Sequence, residues 1–204
     1  MVSFVDTLWM QLSSWTTSEI LAVVFAVFYL LLAIRENIWC WFFAGVSTAI
    51  YVTVYYDAKL YMESVLNVFY FAMAIYGWFI WRSGSEQRLP VVTLPGRTHL
   101  LALIVIVACV AVIGYLLDTL TDAAFPYIDS ATTFAAIWAT FLVARKVLEN
   151  WWYWLVIDIV SVFIYWSREL EVTSVLFVAY VVMIPFGLSK WSRSFREQQQ
   201  SPGK

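Results

Sequence analysis

Residues 149–166 read ENWWYWLVIDIVSVFIYW. Within this run Trp151, Trp154, Asp158, Ser161 and Tyr165 follow one another at spacings of 3, 4, 3 and 4. On a helix such spacings draw one continuous stripe. Asp158 is nine residues from Glu149 and eight from Trp166. In a membrane-crossing helix it therefore lies near mid-depth, where a carboxylate costs about 2.5–3.5 kcal/mol even on the lenient insertion scale. A carboxyl in that position is neutral, paired, or kept for a positively charged visitor. None of the apolar segments carries a Lys or Arg at mid-depth to pair with it. Two readings follow. Asp158 can be protonated and hydrogen-bonded to another helix, with the tryptophans serving as interfacial belt residues. Alternatively, Asp158 and the aromatic stripe hold an organic cation by charge and cation–π attraction, the reading favoured here.

Weaker polar signals accompany the stripe. Glu63, Asn67 and Tyr70 share one helix face at spacings of 4 and 3, with Glu63 nearer the end of its segment. Ser47, Thr48, Thr132 and Thr133 have the hydroxyls to meet a ligand, yet in membrane helices such residues mostly bond their own backbone or a neighbouring helix. His99, beside Arg97, reads as an interfacial residue.

The elements that must position these residues are membrane spans. Of 204 residues, 63% are hydrophobic and 13% charged, with a mean hydropathy of +0.78, well beyond a soluble domain. Apolar stretches give seven candidates, at 19–35, 37–56, 61–81, 98–117, 128–145, 149–166 and 172–191. Segment 82–97 holds two prolines and two glycines and reads as a loop. Residues 192–204 read as a polar, mobile tail. No removable signal peptide is evident at the N-terminus. Cys40 and Cys109 lie in apolar runs and imply neither a disulfide framework nor a metal cluster.

Charge gives direction. One side carries only Lys59 and Arg168. The other carries Arg35, Arg82, Arg88, Arg97, Arg145, Lys146, Lys190, Arg193, Arg196 and Lys204. Because cytoplasmic loops are the basic ones, the N-terminus is expected outside and the C-terminus inside. The outer side gathers Asp6, Asp57, Asp118, Asp122, Asp129, Glu169 and Glu171, which would concentrate an approaching cation.

The chain also repeats itself. Glu36-Asn37-x-Trp39-x-Trp41 matches Glu149-Asn150-x-Trp152-x-Trp154 at an offset of 113. Ser64-Val65-Leu66-x-Val68-x-Tyr70 matches Ser174-Val175-Leu176-x-Val178-x-Tyr180 at 110, as Met73, Gly77 and Trp81 match Met183, Gly187 and Trp191. Spans one to three then correspond to five to seven, and the fourth turns the second copy to run parallel to the first. The expected fold is all-α: seven transmembrane helices in a 3+1+3 parallel-repeat arrangement. Its parts are a segment 1–18 outside the cytoplasm, repeats 19–82 and 119–191, a loop and linker helix 83–118, and a cytoplasmic tail 192–204. The 113 offset sets Gly45 opposite Asp158, so only one copy carries the charge.

Absences narrow the function. The chain has no phosphate-cradling GxxxxGK[ST], no HExxH and no His/Cys cluster. No cofactor, metal or nucleic acid is expected, and no enzymatic activity.

Trp151-x-x-Trp154-x-x-x-Asp158 followed by Tyr165 resembles the WxxWxxx[N/D]xxxxxxY signature of the PnuC vitamin transporter family. RENIWCW (35–41), LYMESVLNVFYFAMAIYGW (60–78) and FPYIDS (125–130) resemble it too, and the likeness spans about 19–191. The resemblance implies a relative of the SWEET architecture in the bacterial inner membrane, often a homotrimer. It also implies facilitated diffusion of a vitamin that a cytoplasmic kinase traps by phosphorylation. Substrates across the family are nicotinamide riboside, thiamine and riboflavin; the first two are ring cations and suit Asp158. Nicotinamide riboside members of enterobacterial type look to have Gln and Asn where this chain has Asn67 and Asp158. That departure, with Glu63 one turn from Asn67, tilts the expectation to thiamine, with nicotinamide riboside the alternative. The vitamin would stack among Trp41, Trp151 and Trp154 and be held by Asp158, Asn67 and Glu63, with Ser161 and Tyr165 on the same stripe. A ligand-sensing membrane protein without transport is the reading from a different class.

Overall fold

The computed structural model describes residues 4–57, 61–82, 89–121 and 125–200, all of it helical apart from turns and one isolated bridge. Lys59, Arg88, Asp122 and Lys204 of the charge pattern lie outside these residues, as do the side chains of Tyr61 and Met62. Eight helices follow in order: α1 Phe4–Ser14, α2 Thr17–Ile34, α3 Trp39–Asp57, α4 Tyr61–Arg82, α5 Gly96–Leu120, α6 Pro126–Ala144, α7 Asn150–Ser167 and α8 Glu171–Gln200.

Local chemistry sets the ends. Thr16 and Glu19 form a capping box: the Thr16 hydroxyl accepts from Glu19 N, and the Glu19 carboxylate accepts from Thr16 N at 2.6 Å. This starts α2 two residues earlier than hydropathy alone. Pro126 occupies the first turn of α6, where its missing N–H costs nothing. Three helices end alike, with an arginine at the C-cap and a charged residue in the left-handed region after it. The pairs are Arg35 with Glu36 (φ 54°), Arg145 with Lys146 (φ 50°) and Arg168 with Glu169 (φ 58°). At each end the chain folds back on itself, as when Asn37 N donates to Leu32 O and Val147 N to Leu142 O.

Both ends of the chain carry helix beyond the apolar spans. Residues 4–14 form an additional helix, whose Gln11 side chain donates to Glu169 O and accepts from Val172 N. Residues 192–200 are no loose tail: α8 runs on through them, with Ser194 donating to Glu36 and Gln198 accepting from Val91 N. Polarity marks where the chain leaves lipid, but a helix does not have to end there.

Among the described residues, five helices have the length and apolar character to cross a membrane: α2, α4 from Glu63, α5, α6 and α8. The helices α3 and α7, of 19 and 18 residues, fall short because tyrosine and tryptophan dilute their hydropathy. At 1.5 Å per residue both still reach about 27 Å. The outer surface is apolar. Helix α5 is almost wholly exposed along Leu100, Leu101, Leu103, Ile104, Val105 and Val107, a surface that belongs in lipid.

Packing follows a duplicated plan. α2 packs on α3 and α3 on α4, just as α6 packs on α7 and α7 on α8; the triplets meet through α4 against α6 and α8 against α2. Trp41 on α3 fills the space above Gly77 on α4, where a Cβ would come within 2.3 Å of the indole. Trp151 on α7 does the same at Gly187 on α8, also at 2.3 Å. Ser64 Oγ donates to Val52 O and Ser174 Oγ to Val162 O. Each contact recurs 110 residues further on, the tryptophans included. Trp41 therefore corresponds to Trp151, not to Trp154 as the ENxWxW match has it, and Thr48 rather than Gly45 stands opposite Asp158. The 113 offset was a sequence coincidence in a tryptophan-rich turn.

Close helix approach at these glycines carries a prediction. Gly77→Ala or Gly187→Ala forces overpacking and should cost about 1–3 kcal/mol each, read as a lower midpoint in thermal unfolding of the solubilised protein. Gly45→Ala, whose nearest neighbours would lie at 3.8 Å, should leave the midpoint unchanged.

Candidate functional site

The stripe expected on α7 exists, and its members have different surroundings. Asp158 and Ser161 are buried, Asp158 at 4% exposure. Asp158 makes no hydrogen bond or ion pair among the described residues. Tyr180 of α8 lies within electrostatic range of it. Trp154 packs against both apolar clusters of the protein. Trp151 is at 2% exposure, edge-on to Trp191 at 5.5 Å, and its buried indole N–H has no partner. Tyr165 stacks on Phe177 of α8 at 5.1 Å.

From the first triplet, Trp41 is buried, edge-on to Trp81 at 5.6 Å, and its indole N–H is likewise unpartnered. Asn67 is buried on α4, and its amide donates to Glu63 O at 2.9 Å. Tyr70, one turn further, packs on Ala136 and Ala139 of α6. Glu63 sits in the first turn of α4 and is exposed, within electrostatic range of Asp129 and Arg168. It therefore belongs to the mouth of the bundle, not to the neighbourhood of Asp158. The hydroxyls mostly serve the fold: Thr48 donates to Ala44 O, Thr132 to Ile128 O and Ser47 to Ala22 O. His99 Nδ1 pairs with Tyr153 OH at 3.0 Å.

Three tyrosines not singled out in the sequence, Tyr29, Tyr51 and Tyr55, join Tyr70, Tyr165 and Tyr180 in the interior. Tyr29 and Tyr70 lie within electrostatic range of each other, as do Tyr51 with Tyr165 and Tyr180, and Glu63 with Tyr55, Tyr70 and Tyr165. Tyr51 and Tyr55 stack at 5.4 Å. These rings come from α2, α3, α4, α7 and α8, so the helices of both triplets turn aromatic faces to one interior. Their signal in the sequence was available: the helical spacing of Tyr51 and Tyr55 is four, and Tyr70 repeats as Tyr180. Such an interior can stack a flat ring and offer hydroxyls to its substituents, with one carboxylate for a positive charge. Among the described residues no cluster of ligating side chains could hold a metal ion.

The buried carboxyl has a stability consequence. Asp158→Leu exchanges a carboxyl without a hydrogen bond among the described residues for an apolar side chain of similar size, and the ligand-free protein should gain about 0.5–2 kcal/mol. A rise in thermal midpoint without ligand is the expected reading; a fall would mean that Asp158 has a structural partner.

Comparison with known proteins places this geometry. The family model described as nicotinamide mononucleotide transporter matches residues 16–193. The nicotinamide riboside transporter PnuC of Escherichia coli is 28% identical over 197 residues, covering 82% of this chain and 81% of that protein. The Neisseria mucosa PnuC is 25% identical over 193 residues, covering 88% and 73%. The riboflavin/roseoflavin transporter RibM of Streptomyces davaonensis is 23% identical over 186 residues, covering 85% and 84%. The crystal structure of the vitamin B3 transporter PnuC superposes with a TM-score of 0.71 at 21% identity, over 95% of this chain and 90% of that one. The chain belongs to the nicotinamide mononucleotide transporter family, that of the PnuC vitamin transporters.

Proposed function

We propose that this transporter carries nicotinamide riboside, a ring cation, through the aromatic interior, with Asp158 holding the positive charge. One observation carries the reading: a buried carboxyl at the middle of α7, without a hydrogen bond or ion pair among the described residues, inside the Trp151/Trp154/Asp158/Tyr165 signature. An intramembrane acid in that position is a functional group by default. The relatives in Escherichia coli and Neisseria mucosa, both nicotinamide riboside transporters by name, support this substrate over thiamine.

The expectation of thiamine drew on Glu63, one turn from Asn67, as an acceptor for an aminopyrimidine; Glu63 stands exposed in the first turn of α4, near Asp129 and Arg168, and nicotinamide riboside makes no such demand on it. Riboflavin, carried by RibM according to its name, is neutral and leaves Asp158 without a purpose.

The membrane arrangement belongs to the same proposal. Seven spans, α2 to α8, form two parallel triplets around the linker α5. The acidic end faces out and the basic end faces the cytoplasm of a bacterial inner membrane. The duplicated contacts and the Lys/Arg bias support this. Substrate enters among the acidic residues, stacks near Trp154, and leaves when the triplets rock about it. Net uptake follows the free vitamin gradient, which a cytoplasmic kinase keeps steep. The exposed apolar face of α5 leaves room for the homotrimer that the resemblance implies.

The test uses the purified chain. Asp158→Asn should weaken nicotinamide riboside binding about tenfold, equivalent to about 1.4 kcal/mol, while leaving riboflavin binding unaltered. Unchanged affinity for the cation would remove Asp158 from the site. In liposomes loaded with nicotinamide riboside kinase and ATP, the wild type should accumulate the phosphorylated product. A sensor that binds without transport would accumulate nothing.

A further inference from the structure

The two helix triplets are joined very unevenly. Every hydrogen bond described between them lies at the basic end. Trp81 Nε1 of α4 donates to Ala144 O at the end of α6, at 3.1 Å, and Trp191 Nε1 of α8 donates to Ala33 O at the end of α2, at 3.0 Å. Arg145 donates to Tyr76 OH, and Ser194 to Glu36. Lys146 Nζ lies 3.0 Å from Glu36 Oε2, with side-chain exposures of 3% and 11%. Its ammonium stands 4.6 Å from the centre of the Trp81 ring. The segment after α4 adds a strap: Val92 N donates to Lys146 O, and Leu148 N to Val92 O. At the acidic end, the Asp129–Arg168 pair stays within the second triplet.

Glu36 and Lys146 occupy the same position in the two triplets, 110 residues apart, as do Trp81 and Trp191. All four meet at one point, the tryptophan rings 6.3 Å apart. Both charged residues also hold left-handed backbone, which a non-glycine residue adopts at a cost. A buried ion pair is a poor way to glue two apolar bodies, since apolar side chains of similar volume do so at least as well. It is a good way to make a junction that closes in one register and hydrates when it opens. A cavity of about 390 Å³ lies against the pair, lined by Arg35, Asn37 and Trp39 among others, so water has access to the hinge side of the contact.

We infer that Glu36, Lys146, Trp81 and Trp191 form a gate latch that keeps the basic end closed, and that its release is the step that opens the transporter at that end. The inference rests on the family's transport activity, not on which vitamin is carried. Transport needs the two triplets to separate at one end while they close at the other. The triplets' own cross-links lie at the basic end, so the structure has that end shut; at the acidic end it is α1, outside both triplets, that reaches the second one, through Gln11 to Glu169 O and Val172 N.

The chain contains its own reporter. Cys40, the second residue of α3, is fully buried in the same apolar cluster as Trp81 and Trp191. With Cys109→Ala making Cys40 the sole thiol, maleimide labelling is measured on the full chain in nanodiscs, where both faces are open to reagent and no vitamin is present. Glu36→Gln or Lys146→Met should speed labelling at least fivefold, and the exchange Glu36→Lys with Lys146→Glu should return it to within about twofold of the parent. Under Cys40→Ala and Cys109→Ala, a cysteine introduced by Thr132→Cys near the acidic end should label more slowly in the same latch variants. Opposite changes at the two ends establish the latch. Unchanged labelling of Cys40, failure of the charge exchange to restore it, or equal acceleration at both ends would overturn it.

Discussion

Two indoles packed against two glycines set the spacing on which everything else in this protein depends. Trp41 fills the space over Gly77 and Trp151 the space over Gly187, each where a methyl group would collide at 2.3 Å. These contacts bring α3 against α4 and α7 against α8, and they fix the depth at which the rest of each helix sits. The next tryptophan along each line, Trp81 and Trp191, meets the first edge-on and reaches across to a helix-end carbonyl of the other triplet. Among lipid tails, apolar burial gives helices little reason to associate, so shape and satisfied polar groups do this work. One construction, used twice, shapes each triplet and joins it to its twin.

Against that duplicated frame the chemistry is unequal. Asp158 stands where the first triplet has Thr48, and Trp154 where it has Ala44, whose carbonyl accepts from Thr48. The frame can hold a buried carboxyl without a hydrogen bond among the described residues because its stability comes from elsewhere, at the tryptophan–glycine contacts and the basic-end junction. The result is an interior with aromatic rings from both triplets and a buried carboxyl from only one.

Much of this was legible in the sequence because lipid imposes simple rules. Composition gave the membrane class, and the stripe on α7 gave Asp158 its burial without any alignment. The repeat was visible too, but its register was not. The tryptophan-rich turn matches itself at 113 as readily as at 110, and only the glycines that receive Trp41 and Trp151 decide between the two. Polarity also misled at the ends: SRSFREQQ reads as a loose tail, yet its helix is held by Ser194 on Glu36 and Gln198 on Val91. The Glu36–Lys146 contact was hidden for a different reason. Its two residues lie 110 apart with no local signal, and each looks by itself like an ordinary interfacial charge.

The account stands on the claim that a single cation is recognised in an aromatic interior by one carboxyl. Calorimetric titration of the purified wild-type protein with nicotinamide riboside, thiamine and riboflavin measures this most directly. The expected result is saturation at one site per chain, with nicotinamide riboside tightest, thiamine weaker and riboflavin weakest. Riboflavin binding more tightly than both cations would contradict it.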